Sequence, residues 1–475
     1  MSAAIALAAR GERVVVYEQL DRPGGKMGEF KDAGFRWDTG PSVITMRDVF
    51  ERLFGLAGRQ LEDYVDLVPL HPITRYFWRD GLMLDALPDD AAMRKQIGAF
   101  SPPDAANYSD FMRYSAKLYD TVKEPFLYNR KPGLRNLTRL PLRDALKIDA
   151  MRTMSQSTAA AFRDRRLAQL FNRFATYNGS SPYKAPATLN TIAHVEMARG
   201  AFYPRGGVYQ IAKAYERLAR ELGVEFRYNT TVRRITTKHG RATGVELIGS
   251  SGTHISVQAD GVVCNADYTH ARMRLLEAGA GNTLEPSCSG FVLLLGVRGT
   301  YPRLAHHNVF FCDDYPREFE DIFTRKVAAE DPTLYVCVTS KSDPSHAPPG
   351  CENWFVLVNA PYLSAAYDWQ VHAAKYADLL KRMLARQAGL DPSRVLAEKI
   401  ITPSDLQQRY GGNRGAIYGF SSNSLGAAFL RPDNRDAKIR GLYYASGSVH
   451  PGGGVPLVTL SGMAAAACVM DDRRP

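Results

Sequence analysis

At 475 residues, 45% hydrophobic and 23% charged, the chain has the make-up of a globular protein of two or three domains, which excludes disordered and fibrous classes. The formal charge of +11 raises nucleic acid as a partner, but no nucleic-acid motif and no basic stripe interleaved with aromatics is present, so no nucleic acid is expected. No window reaches the roughly 18 uninterrupted apolar residues of a membrane span.

Ala3 to Ala9 reads as the end of an Ala-rich helix closed by Gly11. It lacks the basic start and cleavage site of a secretory leader, so the chain reads as cytoplasmic. Arg13-Val-Val-Val-Tyr-Glu18 follows as a buried parallel strand ending on an acid. A helix and strand in this order form the second half of a βαβ dinucleotide unit. Its glycine-rich phosphate turn precedes the acid by about 20 residues. Counting back from Glu18 puts that turn at or before Met1, so the first strand and glycine loop are expected to be missing. Glu18 closes a buried strand, where a carboxylate needs partners and can accept hydrogen bonds from a ribose diol.

Arg22-Pro-Gly-Gly-Lys-Met27 is a glycine turn with a cation on each side. Phe35 to Thr45 reads as strand, tight turn and strand, with Asp38-Thr-Gly-Pro-Ser42 at its centre. Helical patches at Val49 to Phe54 and Asn107 to Val122 flank a hairpin from Tyr76 to Leu84. Asn129 to Ile148 mixes Arg and Lys with leucines every few residues, which suits either a solvated basic loop or a surface lying in a lipid interface. The pattern from 137 to about 200 is mainly helical. Within it, His194 and Glu196 share a strand or loop and could pair.

Helix Ile211 to Leu222 is followed by strand-like runs at Val224 to Asn229, Val232 to Ile235, Ala242 to Ile248 and Gly261 to Cys264. Strands such as Gly290 to Val297 and Leu334 to Thr339 then alternate with helices such as His372 to Ala388. The chain closes on a short strand and a glycine-dense turn, Leu442-Tyr-Tyr-Ala-Ser-Gly-Ser-Val-His-Pro-Gly-Gly-Gly-Val-Pro456, before an Ala-rich apolar stretch. Amides at such a turn and at the following helix start face an anion or an electron-rich ring. The six cysteines form no Cys-x-x-Cys pair. No metal-ligand spacing, nucleophile elbow or Walker loop is present, so no metal is expected and no catalytic residue is assigned.

The C-terminal signature, together with Asp38 to Ser42, Ala259 to Asp267, Phe202 to Gly207, Ala416 to Ser424 and Phe429 to Asn434, resembles the carotenoid desaturase (phytoene dehydrogenase) family. The Ala-Ser-Gly-Ser-Val-His-Pro form is more similar to hydroxycarotenoid 3,4-desaturases and diapocarotenoid oxidases than to phytoene desaturases. Ser446 stands where glycine is usual and is expected to tighten the turn. The resemblance spans Ala3 to Met470. It implies an α/β fold: a Rossmann-like FAD-binding domain of the two-dinucleotide, amine-oxidase-like type, an interleaved α+β substrate domain and a helical membrane-facing part.

The matching boundaries are 1–46, 200–286 and 411–475 for FAD, 47–125 and 287–410 for substrate, and 126–199 for the helical part. The resemblance assigns FAD to Glu18, Arg22, Gly24, Gly25, Lys26, Gly40, Pro41, Ser42, Val232, Gly447, Ser448, Val455 and Pro456. The implied function is FAD-dependent desaturation of an acyclic carotenoid by a peripheral membrane protein, with a quinone or oxygen as electron acceptor. Oxidation of a carotenoid terminal methyl group and a flavin-free carotenoid-binding chain are the alternatives.

Overall fold

The computed structural model describes residues 1–129, 148–249, 252–279, 284–424, 427 and 431–473. Two pairs of parallel strands form the frame of the nucleotide-type region. Val15–Tyr17 pairs with Glu225–Arg227, and Val262–Cys264 pairs with Leu442–Tyr444. Among the described residues no strand joins the two pairs into one sheet. Val15 is therefore 37% exposed, which corrects the expectation of a fully buried strand: one edge of its strand is unpaired and borders a cavity. A three-stranded antiparallel meander, Thr231–Lys238, Arg241–Ile248 and His254–Gln258, sits beside this frame.

The second layer is a seven-stranded mixed sheet in the order Val395–Ile401, Ser289–Arg298, Cys351–Ala360, Leu334–Cys337, His307–Phe310, Thr74–Phe77 and Met83–Ala86. Its one parallel junction joins His307–Phe310 to Thr74–Phe77, so residues 74–86 and 289–401 build one sheet. Strand Ser289–Arg298 reads as a continuous apolar run because both of its faces are covered. Phe291, Leu293, Leu295 and Val297 pack with Trp369, Leu380 and Leu384 of helix Trp369–Ala388. Val292 and Leu294 point the other way, onto Phe35, Trp37 and Phe355. This is the two-residue alternation of a strand.

Helices Pro102–Val122, Met154–Ala161 and Arg165–Asn172 enclose an aromatic core of Phe111, Phe162, Phe171 and Phe174. The first turn of Met154–Ala161 is fixed by a capping box, in which Thr153 Oγ1 accepts from the Gln156 amide at 3.1 Å and Gln156 Oε1 accepts from the Thr153 amide at 2.9 Å. Of the basic segment Asn129 to Ile148, residues 130–147 lie outside the described residues, as do Phe429 and Leu430.

Two expectations are corrected locally. The strand after the Gly40–Ser42 turn shrinks to one bridge, Ile44 to Phe202. His194 and Glu196 lie on a helical turn, His194–Ala198, and do not pair with each other.

The C-terminal helix Val455–Arg473 is long and apolar enough by length and composition to cross a membrane, but more than half of its apolar window is buried inside the protein. It packs on helix Ser2–Ala8 so closely that a Cβ on Gly462 would stand 1.9 Å from Ser2 Oγ. It is built as a core helix.

Candidate functional site

One cavity of about 1870 Å³ runs from the parallel strand pairs to the large sheet. A pocket for one small molecule usually measures roughly 300–1,000 Å³, so this space is larger than one such ligand needs. Its wall includes Val14 to Leu20, Pro23 to Met27, Thr39 to Val43, Val232, Ala259 to Asp267, Ser446 to Ser448 and Gly453 to Thr459. Every residue assigned to FAD from the resemblance lies on this wall except Arg22.

Each wall segment has a local reason for its place. The turn at Gly24-Gly25 is closed by the Met27 amide donating to the Gly24 carbonyl at 3.0 Å. Gly40 crosses it tightly enough that a Cβ would come 1.9 Å from the Lys26 carbonyl oxygen. Asp38 anchors the Gly40-Pro41-Ser42 segment from below. Its carboxylate accepts from Arg36 Nη2 at 2.7 Å, Tyr203 Oη at 2.7 Å and the Val208 amide at 2.9 Å.

In the C-terminal turn, Ser446 Oγ and Ser448 Oγ share a hydrogen bond of 2.9 Å, and the Ser448 amide donates to Ser446 Oγ at 3.3 Å. A serine at 446 thus ties the turn to itself. His450 lies in the same turn, where its Nε2 meets the Asn129 carbonyl at 3.1 Å and its own carbonyl accepts from Asn434. Both contacts fix the loop.

The wall fits a flavin dinucleotide. Gly25 and Gly454 have positive φ and nothing within 4 Å of where a Cβ would stand, so backbone is open to a ligand at both turns. The 19-residue helix Val455–Arg473 starts on the cavity wall and presents its amides there. Burial pushes the Glu18 carboxyl above its usual range, against the opposing hydrogen bond from the Leu20 amide at 2.9 Å. A ribose hydroxyl donating to Glu18 would favour the charged form.

The two cations that the resemblance assigns to FAD are placed differently. Arg22 lies off the wall and pairs with Asp21 at 3.3 Å. Lys26 is half-buried, donates to the Ile417 carbonyl at 2.7 Å and faces Asp267; desolvation lowers its pKa.

Against the helical region, the cavity meets a charged cluster that the sequence did not announce. Arg173 is 6% exposed and Glu196 not at all. Arg173 donates to Tyr76 Oη at 3.1 Å and Tyr177 Oη at 3.3 Å, and lies 3.7 Å from Glu196 Oε1. Tyr177 donates to the other Glu196 oxygen. Although burial alone would lower it, Arg173 is held well above its ordinary pKa by the facing Tyr76, Tyr177 and Glu196, so it stays cationic. Arg173 and Tyr177 line the cavity beside the apolar side chains of Leu189, Ile192 and Val195. Nearby, Ser42 Oγ and Tyr335 Oη share a hydrogen bond of 2.7 Å on the wall.

The family model for flavin containing amine oxidoreductase matches residues 1–470. The chain is 37% identical over 474 residues to a 4,4'-diapolycopene oxygenase of a Methylomonas species, covering 97% of this chain and 94% of that protein. It is 34% identical over 475 residues to a 1-hydroxycarotenoid 3,4-desaturase of Flavobacterium sp. (strain P99-3), covering 97% and 95%. In three dimensions it resembles cyclohexylamine oxidase from Brevibacterium oxydans IH-35A, with a TM-score of 0.60, 15% identity, and 99% and 96% of the two chains covered. With the glycine turns, the helix start and the wall around them, these matches show that the chain belongs to the flavin containing amine oxidoreductase family, among its carotenoid desaturases and oxygenases.

Proposed function

We propose that this FAD-dependent oxidoreductase removes two hydrogens from an acyclic carotenoid that carries oxygen at its terminus. The observation that carries this reading is the shared cavity. One wall presents glycine turns and a helix start, and another presents an apolar lining interrupted by the buried Arg173 and the half-buried Tyr177. FAD, when bound, supplies the two-electron acceptor that side chains lack.

The chain's own residues then hold and orient. Glu18 would accept hydrogen bonds from the ribose. The backbone at Gly24-Gly25, Gly447-Ser448 and Val455-Pro456 would hold the cofactor, with Gly40-Pro41-Ser42 towards its ring and Val232 towards its adenine. The apolar lining excludes water and aligns the polyene, so positioning carries much of the rate. Arg173, held in place by Tyr177, donates to the terminal oxygen, which gives one end of a nearly symmetric substrate a register.

A polyene of this length dissolves only in lipid. The protein therefore docks on the cytoplasmic face of the membrane through the basic, leucine-containing segment Asn129 to Ile148, and passes its electrons to a quinone or to oxygen. The second reading is oxidation of a terminal methyl group, favoured by the 37% identity to a diapolycopene oxygenase.

The test incubates the flavin-loaded enzyme with 1-hydroxylated and unsubstituted acyclic carotenoids in vesicles and reads product mass. Loss of two hydrogens, faster with the hydroxylated substrate, is the expected result. A gain of oxygen selects the second reading, and no change in mass with either substrate overturns both.

A further inference from the structure

The geometry points to a metal site, distinct from the cavity, made by His306, His307 and Cys337 and suited to a soft, thiophilic ion, copper(I) ahead of zinc. One ligand atom from each of the three residues lies within 4.8 Å of the others. The side chains are 5%, 0% and 1% exposed. No ligand spacing marks them in the sequence. They meet because strand His307–Phe310 pairs with Leu334–Cys337 and sets His307 opposite Cys337.

Each imidazole has one nitrogen engaged and one free. His306 Nδ1 is bound to Ser342 Oγ at 2.7 Å and His307 Nδ1 to Tyr335 Oη at 2.8 Å. Nε2 of both rings has no hydrogen-bond partner although both are buried. A buried polar nitrogen with nothing to bond to costs stability, and a metal removes that cost.

The choice of ion follows from charge. Arg173 faces His307, His346 faces His306, and both Arg36 and Asp38 face Cys337. A monovalent ion on a thiolate adds no net charge to this interior, whereas a divalent ion adds one. Sulfur with two imidazoles is a donor set for copper(I) or zinc. Binding forms one metal–sulfur and two metal–nitrogen bonds, and the Cys337 thiol releases its proton to solvent with no change of oxidation state. Bond lengths of about 2.0 Å to nitrogen and about 2.3 Å to sulfur require the three atoms to draw inward.

The site also reaches the cavity. With Nε2 on the metal, His307 Nδ1 carries the hydrogen and donates to Tyr335, which also shares a hydrogen bond with Ser42 on the wall.

The experiment uses the flavin-loaded full chain. Copper(I) is titrated anaerobically against a chromophoric chelator, cobalt(II) serves as a second probe, and X-ray absorption reads the loaded wild type. The expected result is one copper per chain with one sulfur and two nitrogen neighbours. Binding should be lost in Cys337→Ser and His307→Gln, kept in Cys351→Ser, and weakened about tenfold in Tyr335→Phe. Tight binding of one cobalt in place of copper, with a sulfur neighbour, supports the site and reassigns the ion to zinc. Binding unchanged in Cys337→Ser and His307→Gln, no binding of either metal, or a loaded wild type without a sulfur neighbour overturns the proposal. The wild-type spectrum decides the matter even if both variants fail to fold.

Discussion

Asp38 shows how one side chain holds a functional turn. It is 3% exposed and accepts hydrogen bonds from Arg36, Tyr203 and the Val208 amide. Removing it leaves the Arg36 guanidinium buried with only Glu29 as a carboxylate, at 3.2 Å. Asp38→Ala should cost about 3–5 kcal/mol in denaturant unfolding, the range for breaking one side of a buried pair. Glu318 behaves in the opposite sense. Burial raises its pKa to about 7, against hydrogen bonds from Thr333 and Cys312. The folded state thus favours its protonated form. The stability it contributes is fully present below the unfolded value of about 4.3 and is lost as pH rises through 7. Glu318→Gln should therefore match the wild type near pH 4 and exceed it above pH 7, by up to about 3 kcal/mol, in unfolding curves taken across that range. Neither residue's part is visible along the chain. Glu18 and Gly24-Gly25 were legible because a strand-end acid and a positive-φ turn are local features. Arg173 and Tyr177, four residues apart, read as an ordinary helical surface until Tyr76 and Glu196 close over them.

At the scale of elements, the C-terminal helix and Ser2–Ala8 form one unit against the cavity. Gly462 permits their contact, since a Cβ there would stand 1.9 Å from Ser2 Oγ and 2.8 Å from the Ala3 amide nitrogen. Gly462→Val should separate the helices and cost roughly 1–3 kcal/mol, the usual range for overpacking, read as a lowered Tm. Because Val455 begins this helix on the cavity wall, the same variant should also retain less flavin, read from visible absorption after gel filtration. Both helices were legible from their Ala-rich composition. Their contact was not, because a glycine inside an apolar helix does not name the backbone it meets. The helical turn at His194–Ala198 was read as strand or loop, and there tertiary packing around Glu196 overrode a weak local preference.

At the scale of the molecule, the proposed docking on a membrane is a question of charge, and the chain carries a formal +11. Six basic residues lie between Asn129 and Ile148. The protein should co-sediment with vesicles containing anionic lipid and be released by high salt. Changing Arg135, Arg139 and Arg143 to Ser should weaken that binding by about 3 kcal/mol, roughly a hundredfold. Equal binding to neutral vesicles, insensitive to salt, would remove this segment's role.

By itself the sequence determined the family, the glycine turns and the order of most strands and helices. Strand runs, helix periods and glycine turns follow from backbone sterics and near neighbours. The tertiary structure alone decided that residues 74–86 join 289–401 in one sheet, that Lys26 turns to a carbonyl, and that a cation lies beside the apolar lining. It alone brought His306, His307 and Cys337 together. Each of these depends on contacts between segments far apart in the chain, which become fixed only when burial forces distant polar groups to satisfy one another.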